Sequence, residues 1–580
     1  MKFYIIIVLS LFTSNAFPGE SDKISPQLQQ RLSEAPAGTI HSVWIYFSDK
    51  GPVTEQKLTE VEQALLPRAQ ARRSRQPFAN QRLVDEHDLP LYKDYLMAVN
   101  SLVLRIRQKS RWMNAISAEV TAAALNQLIR LPIIRKIEPV FIATAPLLIT
   151  DSHKVEISIP ANHPTEQLNY GLSFAQNNQI NVIPLHNAGY DGSGVLVAML
   201  DAGFNNLEHQ ALRHLNILAT WDFVNGDSIV GDEPGQMGSG NHGTYTLSAL
   251  AGFKEGSLIG PAYGADFILA KTENTDWERH VEEDAWIAGA EWADSLGADI
   301  ISSSLGYLNG FTNGDTNYTW QDMDGNTTIV TIGADLAASR GILVVNSAGN
   351  EGSASPSQNS LIAPADGDSV MAVGSVTDTG VRSSFSSMGP TVDGRIKPDV
   401  MACGSNTLCA SPYDTSDYWN VSGTSLSCPL AAGAAVLVWQ VNPTFTNLQV
   451  LEVLRNTASY SGNPNNQYGW GIINAYAAAS PVTGLPASAA AVPEKFILYG
   501  NYPNPFNPVT TISYEIPRAG DIQIVVYNSL GEKVQLIYQG ISPAGKHQLK
   551  WNAQQLGSGM YYIILNAGEN RLIHKALLLK

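Results

Sequence analysis

The chain has 580 residues, too many for one compact domain, and its length favours about three or four units. Charged residues make up only 15% of the sequence, which is low for a cytosolic protein and ordinary for an exported one. Most of the net charge of −16 lies in residues 151–480, which hold 34 Asp and Glu against 10 Lys and Arg. So acidic a region argues against nucleic-acid binding.

Residues 17–150 are basic, with 17 Lys and Arg against 13 Asp and Glu. We expect this basic part and the acidic part, 151–480, to attract each other.

Residues 1–16 have the pattern of a secretory signal peptide. Lys2 supplies the positive start, Phe3 to Phe12 form a short apolar core, and Ala16 is a small residue suited to signal peptidase. The apolar stretch is too short to span a membrane, and no later run is long enough to do so. The pattern predicts a protein that is secreted or placed at the cell surface, with no transmembrane segment.

The leader, residues 17–150, predicts a small α+β unit. Its pattern gives strands at His41–Phe47, Ser101–Ile106 and Ile133–Val140, a helical region over 53–94 and a helix over Ala122–Ile129. Residues 151–168 carry Pro, Ser, His and Asn with little periodicity. We interpret them as an exposed linker where the chain is processed.

The body, residues 169–480, predicts an α/β unit. Unbroken apolar strands are expected at 195–200, 267–270, 300–303, 341–345 and 370–373, and helices at 242–251, 280–296, 328–340, 424–440 and 446–457. Buried strands that alternate with helices indicate a parallel sheet covered by helices on both faces.

The tail, residues 494–580, predicts an all-β sandwich. It follows a linker, 481–493, that is rich in Ala, Pro, Ser and Val. Short alternating strands separated by turn residues are expected at 511–516, 522–527, 534–538, 547–551, 560–566 and 572–579.

Two polar residues in the body lie beside predicted elements. Asp201 directly follows the strand 195–200, where functional groups collect in open parallel sheets, although an Asp there can equally cap a helix or close a turn. His242 opens a helix from a glycine-containing segment, and the alternative is a solvated histidine in a capping loop.

Two further residues could stabilise negative charge. Ser425 precedes Pro429, which marks a helix start, so free backbone amides and the helix dipole meet at this serine. A plain N-cap is the alternative. Asn350 follows the strand 341–345, where its side-chain amide could donate to an oxyanion, or where it simply closes a turn.

Taken together, these segments resemble the subtilisin-like serine proteases, and Asp, His, Ser is the order of the triad in that family. The resemblance is carried by Asp201-Ala202-Gly203, His242-Gly243-Thr244, Gly423-Thr424-Ser425, Asn346–Gly352, Ser303–Gly306, Phe385–Pro390 and Lys397–Val400. It implies a catalytic triad of Asp201, His242 and Ser425, with Asn350 in the oxyanion hole. It also implies that protein or peptide substrates bind along Ser304, Leu305, Gly306, Ser347, Ala348 and Gly349.

The resemblance implies an endopeptidase that works through an acyl-enzyme and needs no cofactor for its chemistry. A structural calcium ion is a further expectation, because Asp315, Asp322 and Asp324 lie in a Gly- and Asn-rich loop, although a solvated acidic insert fits equally well. The chain departs from the family at Ala202, where Ser or Thr is usual and where a hydroxyl could help to fix the Asp201 carboxylate.

The two flanking units have resemblances of their own. The leader, especially Asn114–Val140, looks like the family's inhibitory prodomain, which implies that the enzyme is made as a zymogen. The tail resembles the C-terminal sorting domain of the type IX secretion system of Bacteroidetes-like bacteria. That match implies export across the outer membrane, and it is carried by Asn501–Pro508, Tyr527–Gly531, Gly557–Tyr561 and Leu577–Lys580.

Two other functions compete with this interpretation. An esterase of the α/β-hydrolase fold is disfavoured, because the chain has no Gly-x-Ser-x-Gly motif and the order of the triad would differ. A catalytically silent surface protein that keeps the protease fold is the other alternative, since a fold does not guarantee activity.

Overall fold

A computed structural model describes most of the chain. The described residues are 23–36, 38–76, 82–140, 142–143, 150–155, 168–274, 281–308, 318–352, 358–479, 495–502, 504, 506, 508–517, 520–528, 531–542, 545–568 and 570–578. The predicted signal peptide 1–16 and the predicted linker 481–493 lie outside them.

The leader is an α+β unit, as predicted. Its helices are α1 (Pro26–Glu34), α2 (Glu55–Gln63), α3 (Pro67–Ser74), α4 (Lys93–Asn100) and α5 (Ala122–Leu128), and its strands are β1 (Ile40–Phe47), β2 (Arg105–Ser110), β3 (Ala115–Thr121) and β4 (Ile134–Pro139). The strands form an antiparallel sheet in the order β2-β3-β1-β4. The sequence did not predict β3, and β2 begins four residues after the predicted start.

The two faces of the leader sheet pack on different partners. Val43, Ile45 and Phe47 of β1 lie in a core with the leader's own helices. The alternate residues Trp44 and Tyr46 lie in a core of the body. The leader sheet is therefore amphipathic by alternation, and the body covers its second face.

Two short strands follow the leader, β5 (Ile142–Ala143) and β6 (Asp151–Val155). Each one pairs with a strand of the body. The predicted processing linker 151–168 therefore begins with a strand paired in a sheet, not with an irregular connection.

The body contains helices and strands in alternation. They are α6 (Phe174–Gln179), α7 (Ile183–Asn187), β7 (Leu196–Asp201), β8 (Asn216–Asp222), α8 (Asn241–Ala251), β9 (Phe253–Lys254), β10 (Leu258–Ile259), β11 (Asp266–Lys271), β12 (Val281–Glu282), α9 (Glu283–Leu296), β13 (Ile300–Ser303), α10 (Ile329–Ser339), β14 (Leu343–Ser347), β15 (Val370–Val376), β16 (Val400–Cys403), β17 (Thr407–Ala410), β18 (Tyr418–Ser422), α11 (Thr424–Val441), α12 (Asn447–Thr457) and α13 (Ala475–Ala479).

The central sheet of the body is parallel and buried on both faces. Within the described residues its seven strands have the order β16-β15-β14-β13-β7-β11-β8. Val197 and Met199 of β7 face one core, to which α8 and α11 contribute, and Leu196, Ala198 and Leu200 face the other, to which α9 and α10 contribute. The predicted α/β class with helices on both faces is confirmed. Within the described part of the chain, α11 alone is long and apolar enough to cross a bilayer, and it is a buried core helix.

The tail consists of antiparallel strands. They are β19 (Ile497–Tyr502), β20 (Val509–Ile516), β21 (Gly520–Asn528), β22 (Lys533–Ser542), β23 (Gly545–Asn552), β24 (Gly559–Ala567) and β25 (Asn570–Leu578). They form two sheets, in the orders β19-β20-β23 and β22-β21-β24-β25. Ile512 and Trp551 of the first sheet share a core with Ile524 and Ile563 of the second, so the two sheets pack face to face as the predicted sandwich requires.

Candidate active site

Asp201 is the last residue of β7, a central strand of the body sheet, and its side chain is fully buried. Its Oδ1 accepts a hydrogen bond from the Ala202 backbone N–H at 2.8 Å. Its Oδ2 accepts one from the Thr246 hydroxyl at 2.9 Å. A buried carboxylate needs such donors to keep its charge, and these two also fix the plane of the carboxylate.

His242 is the second residue of α8, and its side chain is 1% exposed. Its Nδ1 lies 2.5 Å from Asp201 Oδ1. Its Nε2 is buried and has no hydrogen-bond partner among the described residues. Gly243 allows this approach, because a Cβ there would lie 2.1 Å from the carbonyl oxygen of Gly203, just after the strand. The imidazole therefore uses one nitrogen for Asp201 and presents the other.

Ser425 is the second residue of α11 and is also buried. Its Oγ donates to the Ser304 carbonyl at 3.5 Å, and the Ser304 hydroxyl donates to the Ser425 carbonyl at 2.9 Å. The next residue, Leu426, lies in a small core with Tyr245 and Ala249 of α8. The beginnings of α8 and α11 are thus packed together, which places the serine beside the histidine helix.

Asn350 is held against the residue that precedes Ser425. Its Oδ1 accepts hydrogen bonds from both the backbone N–H and the hydroxyl of Thr424, each at 2.9 Å. Because the carbonyl end of the amide is used in this way, the Nδ2 group is the end that can donate to another molecule. The structure therefore brings an amide donor next to the start of α11, where backbone N–H groups also point outward.

The two predicted substrate-binding segments differ in what their backbone can do. The Ala348 N–H donates to Val373, and the Ala348 carbonyl accepts from the Ile362 N–H. The Gly349 carbonyl accepts from the Ser387 N–H. Residues 347–349 can therefore line a pocket, but these groups are not available for strand pairing with a substrate. In the other segment, the Asn346 side chain donates to the Leu305 carbonyl at 2.9 Å and fixes its direction.

Two short strands that follow the leader pair with strands of the body. Strand β5 pairs antiparallel with β12, and β6 pairs antiparallel with β18. The Thr150 N–H donates to the carbonyl of Ser422, which lies three residues before Ser425, at 2.6 Å. The edges of β12 and β18 that β5 and β6 occupy can thus hold extended chain, and nothing in the sequence pattern had pointed to either edge.

Thr246 is a second feature that sequence reasoning missed. The sequence suggested that Asp201 lacks a stabilising hydroxyl, because position 202 is alanine. The structure corrects this, since the Thr246 hydroxyl occupies that role from the next helical turn after His242. The signal was a threonine four residues after the histidine, on the same face of α8.

Two of the three expected calcium ligands, Asp322 and Asp324, lie in the described part of the chain. Asp315 lies outside the described residues. The Asp322 carboxylate accepts hydrogen bonds from Thr319, and that of Asp324 from Asn326 and Thr327, so both close local turns. The described ranges contain no group of three or more His, Cys, Asp or Glu side chains suited to a metal.

The three cysteines do not form a disulfide. Cys403, Cys409 and Cys428 are all buried thiols. Burial raises the pKa of the Cys428 thiol to about 12, so this residue of α11 behaves as a small apolar side chain.

Three family models match the three units of the chain. The subtilase family (Peptidase S8) matches residues 192–471, the Bacteroidota propeptide domain of Peptidase S8 matches 42–154, and the secretion system C-terminal sorting domain matches 501–579.

Curated relatives agree with these matches. Subtilisin NAT of Bacillus subtilis subsp. natto is 33% identical over 377 residues, which cover 65% of this chain and 83% of that protein. Subtilisin of Bacillus pumilus is 36% identical over 312 residues, 53% of this chain and 98% of that protein. The crystal structure of fervidolysin from Fervidobacterium pennivorans, a keratinolytic enzyme related to subtilisin, shares the fold with a TM-score of 0.54 and 18% identity, over 92% of this chain and 72% of that one. The chain therefore belongs to the subtilase family and is a serine endopeptidase of the subtilisin type, with an N-terminal propeptide and a C-terminal sorting domain.

Proposed function

We propose that the mature protein hydrolyses peptide bonds through a triad of Asp201, His242 and Ser425 and a covalent acyl-enzyme. The observation that carries this proposal is the 2.5 Å contact between buried Asp201 and His242, beside the start of the helix that holds Ser425. A neutral imidazole held in this way has its second nitrogen, Nε2, turned toward the reaction.

The reaction proceeds by acyl transfer. His242 Nε2 accepts the proton of the Ser425 hydroxyl while Oγ attacks the peptide carbonyl, and Asp201 stabilises the imidazolium that forms. The imidazolium then protonates the leaving amine as the C–N bond breaks. Water, activated by the same imidazole, hydrolyses the ester and returns the proton to Ser425.

The oxyanion would be bound by Asn350 Nδ2 and by the Ser425 N–H. Both donors are set before the reaction begins, one by Thr424 and the other by the start of α11. Removing the corresponding side-chain donor of subtilisin itself raises the barrier by roughly 2.7–4 kcal/mol, and we expect a loss of the same order here.

Substrate would bind as an extended chain along residues 304–306 and 347–349. The backbone groups of 348–349 already form hydrogen bonds within the body, so this segment would shape a pocket. The substrate backbone would instead pair with strand edges such as that of β12. Main-chain hydrogen bonds depend on the backbone of the substrate more than on its side chains, so we expect broad specificity.

The leader would act as an inhibitor within the same molecule. Strand β5 pairs with β12, and β6 pairs with β18, which ends three residues before Ser425; residues 144–149 connect β5 to β6 in sequence. We therefore propose that the first processing cut falls between Ala143 and Thr150, among the last residues of the predicted leader and not in the predicted processing linker 151–168. The proposed units are the signal peptide 1–16, the inhibitory leader 17–150, the linker 151–168, the catalytic body 169–480, the linker 481–493 and the sorting tail 494–580.

Secretion follows from the ends of the chain. Residues 1–16 would direct export across the inner membrane, and the sorting tail would direct the folded protein through the type IX machinery of the outer membrane. The product would be free outside the cell or attached to its surface.

The direct test is Ser425→Ala. The variant should fold, retain its leader as an uncleaved precursor, and show no turnover of an unstructured protein substrate. Turnover by the variant at the wild-type rate would contradict the proposed nucleophile. A wild-type protein that also lacks turnover once its leader is removed would favour the catalytically silent alternative.

A further inference from the structure

A segment of the leader lies at the end of the body sheet that is opposite to the catalytic site. This arginine segment, residues 67–76, comprises α3 and the two residues after it. Arg68 donates to Asp266, the first residue of β11, at 3.1 Å, and to the carbonyl of Gly194, which precedes β7, at 2.9 Å. Asp201 lies at the far end of β7, so the segment is about 20 Å from the catalytic residues.

The contacts of the arginine segment are buried and charged. The Arg72 side chain is 0% exposed; it donates to the carbonyls of Ala298 and Arg340 at 2.6 and 3.0 Å and forms an ion pair with Asp294. Arg73 pairs with the same carboxylate at 2.7 Å. Burial alone would raise the pKa of Asp294, but Arg73 and Arg72 outweigh it and hold the pKa below its ordinary value. Separating the two parts would break both ion pairs of Asp294 at once, although hydration regained by the exposed charges offsets part of that loss.

The body surface is also shaped to receive this segment. Gly297, before β13, sits so close that a Cβ there would lie 2.5 Å from Arg68 Cβ and 2.8 Å from the Ala69 nitrogen. Gly341, before β14, faces Gln76, and a Cβ there would lie 2.5 Å from the flexible side-chain Nε2 of Gln76. Two turns of the body thus form a cradle with no room for a side chain at Gly297, and Ala69 is fully buried in it.

We propose that the arginine segment is a second anchor of the leader, one that works without the catalytic cleft and keeps the leader bound after the chain is cut between Ala143 and Thr150. The proposal rests on the leader being the inhibitor of this enzyme. Strand β5 and the arginine segment belong to one folded unit. Release of β5 alone therefore leaves the leader attached, and β5 can rebind within the same complex. The leader leaves only when the cradle opens and the face of its sheet that packs on the body also separates, and the mature body then exposes an acidic site that fits an arginine-rich helix.

The test measures release of the leader without using the enzyme's own activity. In a full-length Ser425→Ala chain, residues 144–149 are replaced by the recognition sequence of an exogenous site-specific protease, and the chain is immobilised through its C-terminus and cut. The appearance of free leader then gives its dissociation rate. We expect Arg68→Ala/Arg75→Ala to release the leader on the order of 10-fold faster than the parent, the effect of losing two partly exposed ion pairs. Both side chains are partly exposed and both reach Asp299, so the change leaves the cores intact. Arg72→Ala tests the buried pair in the same way.

The matched control is Arg82→Ala. It removes one positive charge from the same unit, where the double variant removes two, and Arg82 pairs with Glu55 and Glu62 inside the leader. Its leader should dissociate at the parent rate. Equal rates for the double variant and the control, or immediate loss of the leader from the parent, would overturn the second anchor. Neither result depends on whether Ser425 is the nucleophile, so a failure here is distinct from a failure of the proposed chemistry.

Discussion

Asp201 receives three hydrogen bonds in a site with no exposed surface: from the Ala202 N–H, from the Thr246 hydroxyl and from His242. Full burial would penalise an isolated carboxylate, and these donors offset that penalty. Thr246 matters most among them for this chain, because alanine at position 202 removes the usual alternative donor. We infer that Thr246 is a positioning residue, acting on the reaction through Asp201.

Replacing Thr246 with valine removes this hydroxyl and preserves the shape of the side chain. A hydrogen bond to a charged group contributes about 1.5–3 kcal/mol, so we expect kcat to fall by about 10-fold or more, with little change in KM. Adding Ala202→Ser to that variant should restore part of the loss, because the new hydroxyl can donate to the same carboxylate. Steady-state kinetics of the mature enzyme on a peptide substrate would measure both effects.

Ser248→Ala is the control, since Ser248 lies on the same helix and its buried hydroxyl donates to the Tyr245 carbonyl, away from Asp201. The positioning role is wrong if Thr246→Val leaves kcat unchanged. It is also wrong if Ser248→Ala reduces kcat equally.

Helices and strands differ in how far the sequence determines them. Strand β7 and helix α11 were predicted to within one or two residues, because continuous apolar runs end in chemically distinct residues. Strand β3 was missed because Ala115–Thr121 contains small and polar residues whose burial comes from neighbouring strands. Strand β8 was missed because it is a half-exposed strand at the edge of the sheet.

The site could be predicted from the sequence where recognisable motifs surround its residues. Four residues lie next to glycines or at the start of a helix: Asp201, His242, Ser425 and Asn350. The structure places Asp201 and His242 in contact. Thr246 carries no motif, and its role depends on the distance between α8 and β7. The arginines of α3 have the pattern of a solvated surface, since the sequence does not show which carboxylates would lie opposite them.

Helix α9 links the leader to the body and carries an unusual carboxyl group at its first residue, Glu283. Burial raises the pKa of Glu283 to about 8; the Tyr318 hydroxyl, which donates to it at 3.1 Å, opposes the shift and Asp284 adds to it. Tyr46 of the leader lies close enough to be affected by the same charge. The folded precursor therefore keeps a proton on Glu283 at neutral pH that the unfolded chain does not.

A raised pKa makes the folded state less favoured as pH rises. For Glu283 the free energy of unfolding should fall between about pH 4.5 and about pH 8, by up to about 1.4 kcal/mol per pH unit. Glu283→Gln should flatten that part of the profile. Urea unfolding of the Ser425→Ala precursor across this range would measure the difference.

Glu208→Gln is the control for the pH profile, because it removes an exposed carboxyl of the body. Its pH dependence should match that of the parent. A Glu283→Gln precursor whose stability changes with pH as the parent's does would contradict the assigned protonation.

In the whole molecule, basic residues of the leader form specific ion pairs with acidic residues of the body. The sequence predicted attraction from the basic and acidic balance alone, and the structure shows Arg68, Arg107 and Arg111 of the leader paired with Asp266, Asp284 and Asp294 of the body. These pairs lie along α9 and at the amino ends of the strands, while β5 and β6 approach the catalytic side. The leader thus contacts the body along α9, at the amino ends of the strands and through β5 and β6.

Labelling with a fluorophosphonate probe, followed by mass spectrometry of the digested protein, tests the proposed chemistry most directly. The probe reacts with a serine only where a base activates the hydroxyl and donors stabilise the oxyanion. Wild-type enzyme freed of its leader should carry one adduct, on the peptide that contains Ser425, and Ser425→Ala should carry none. An unlabelled wild-type enzyme, or an adduct on a different serine, would contradict the triad.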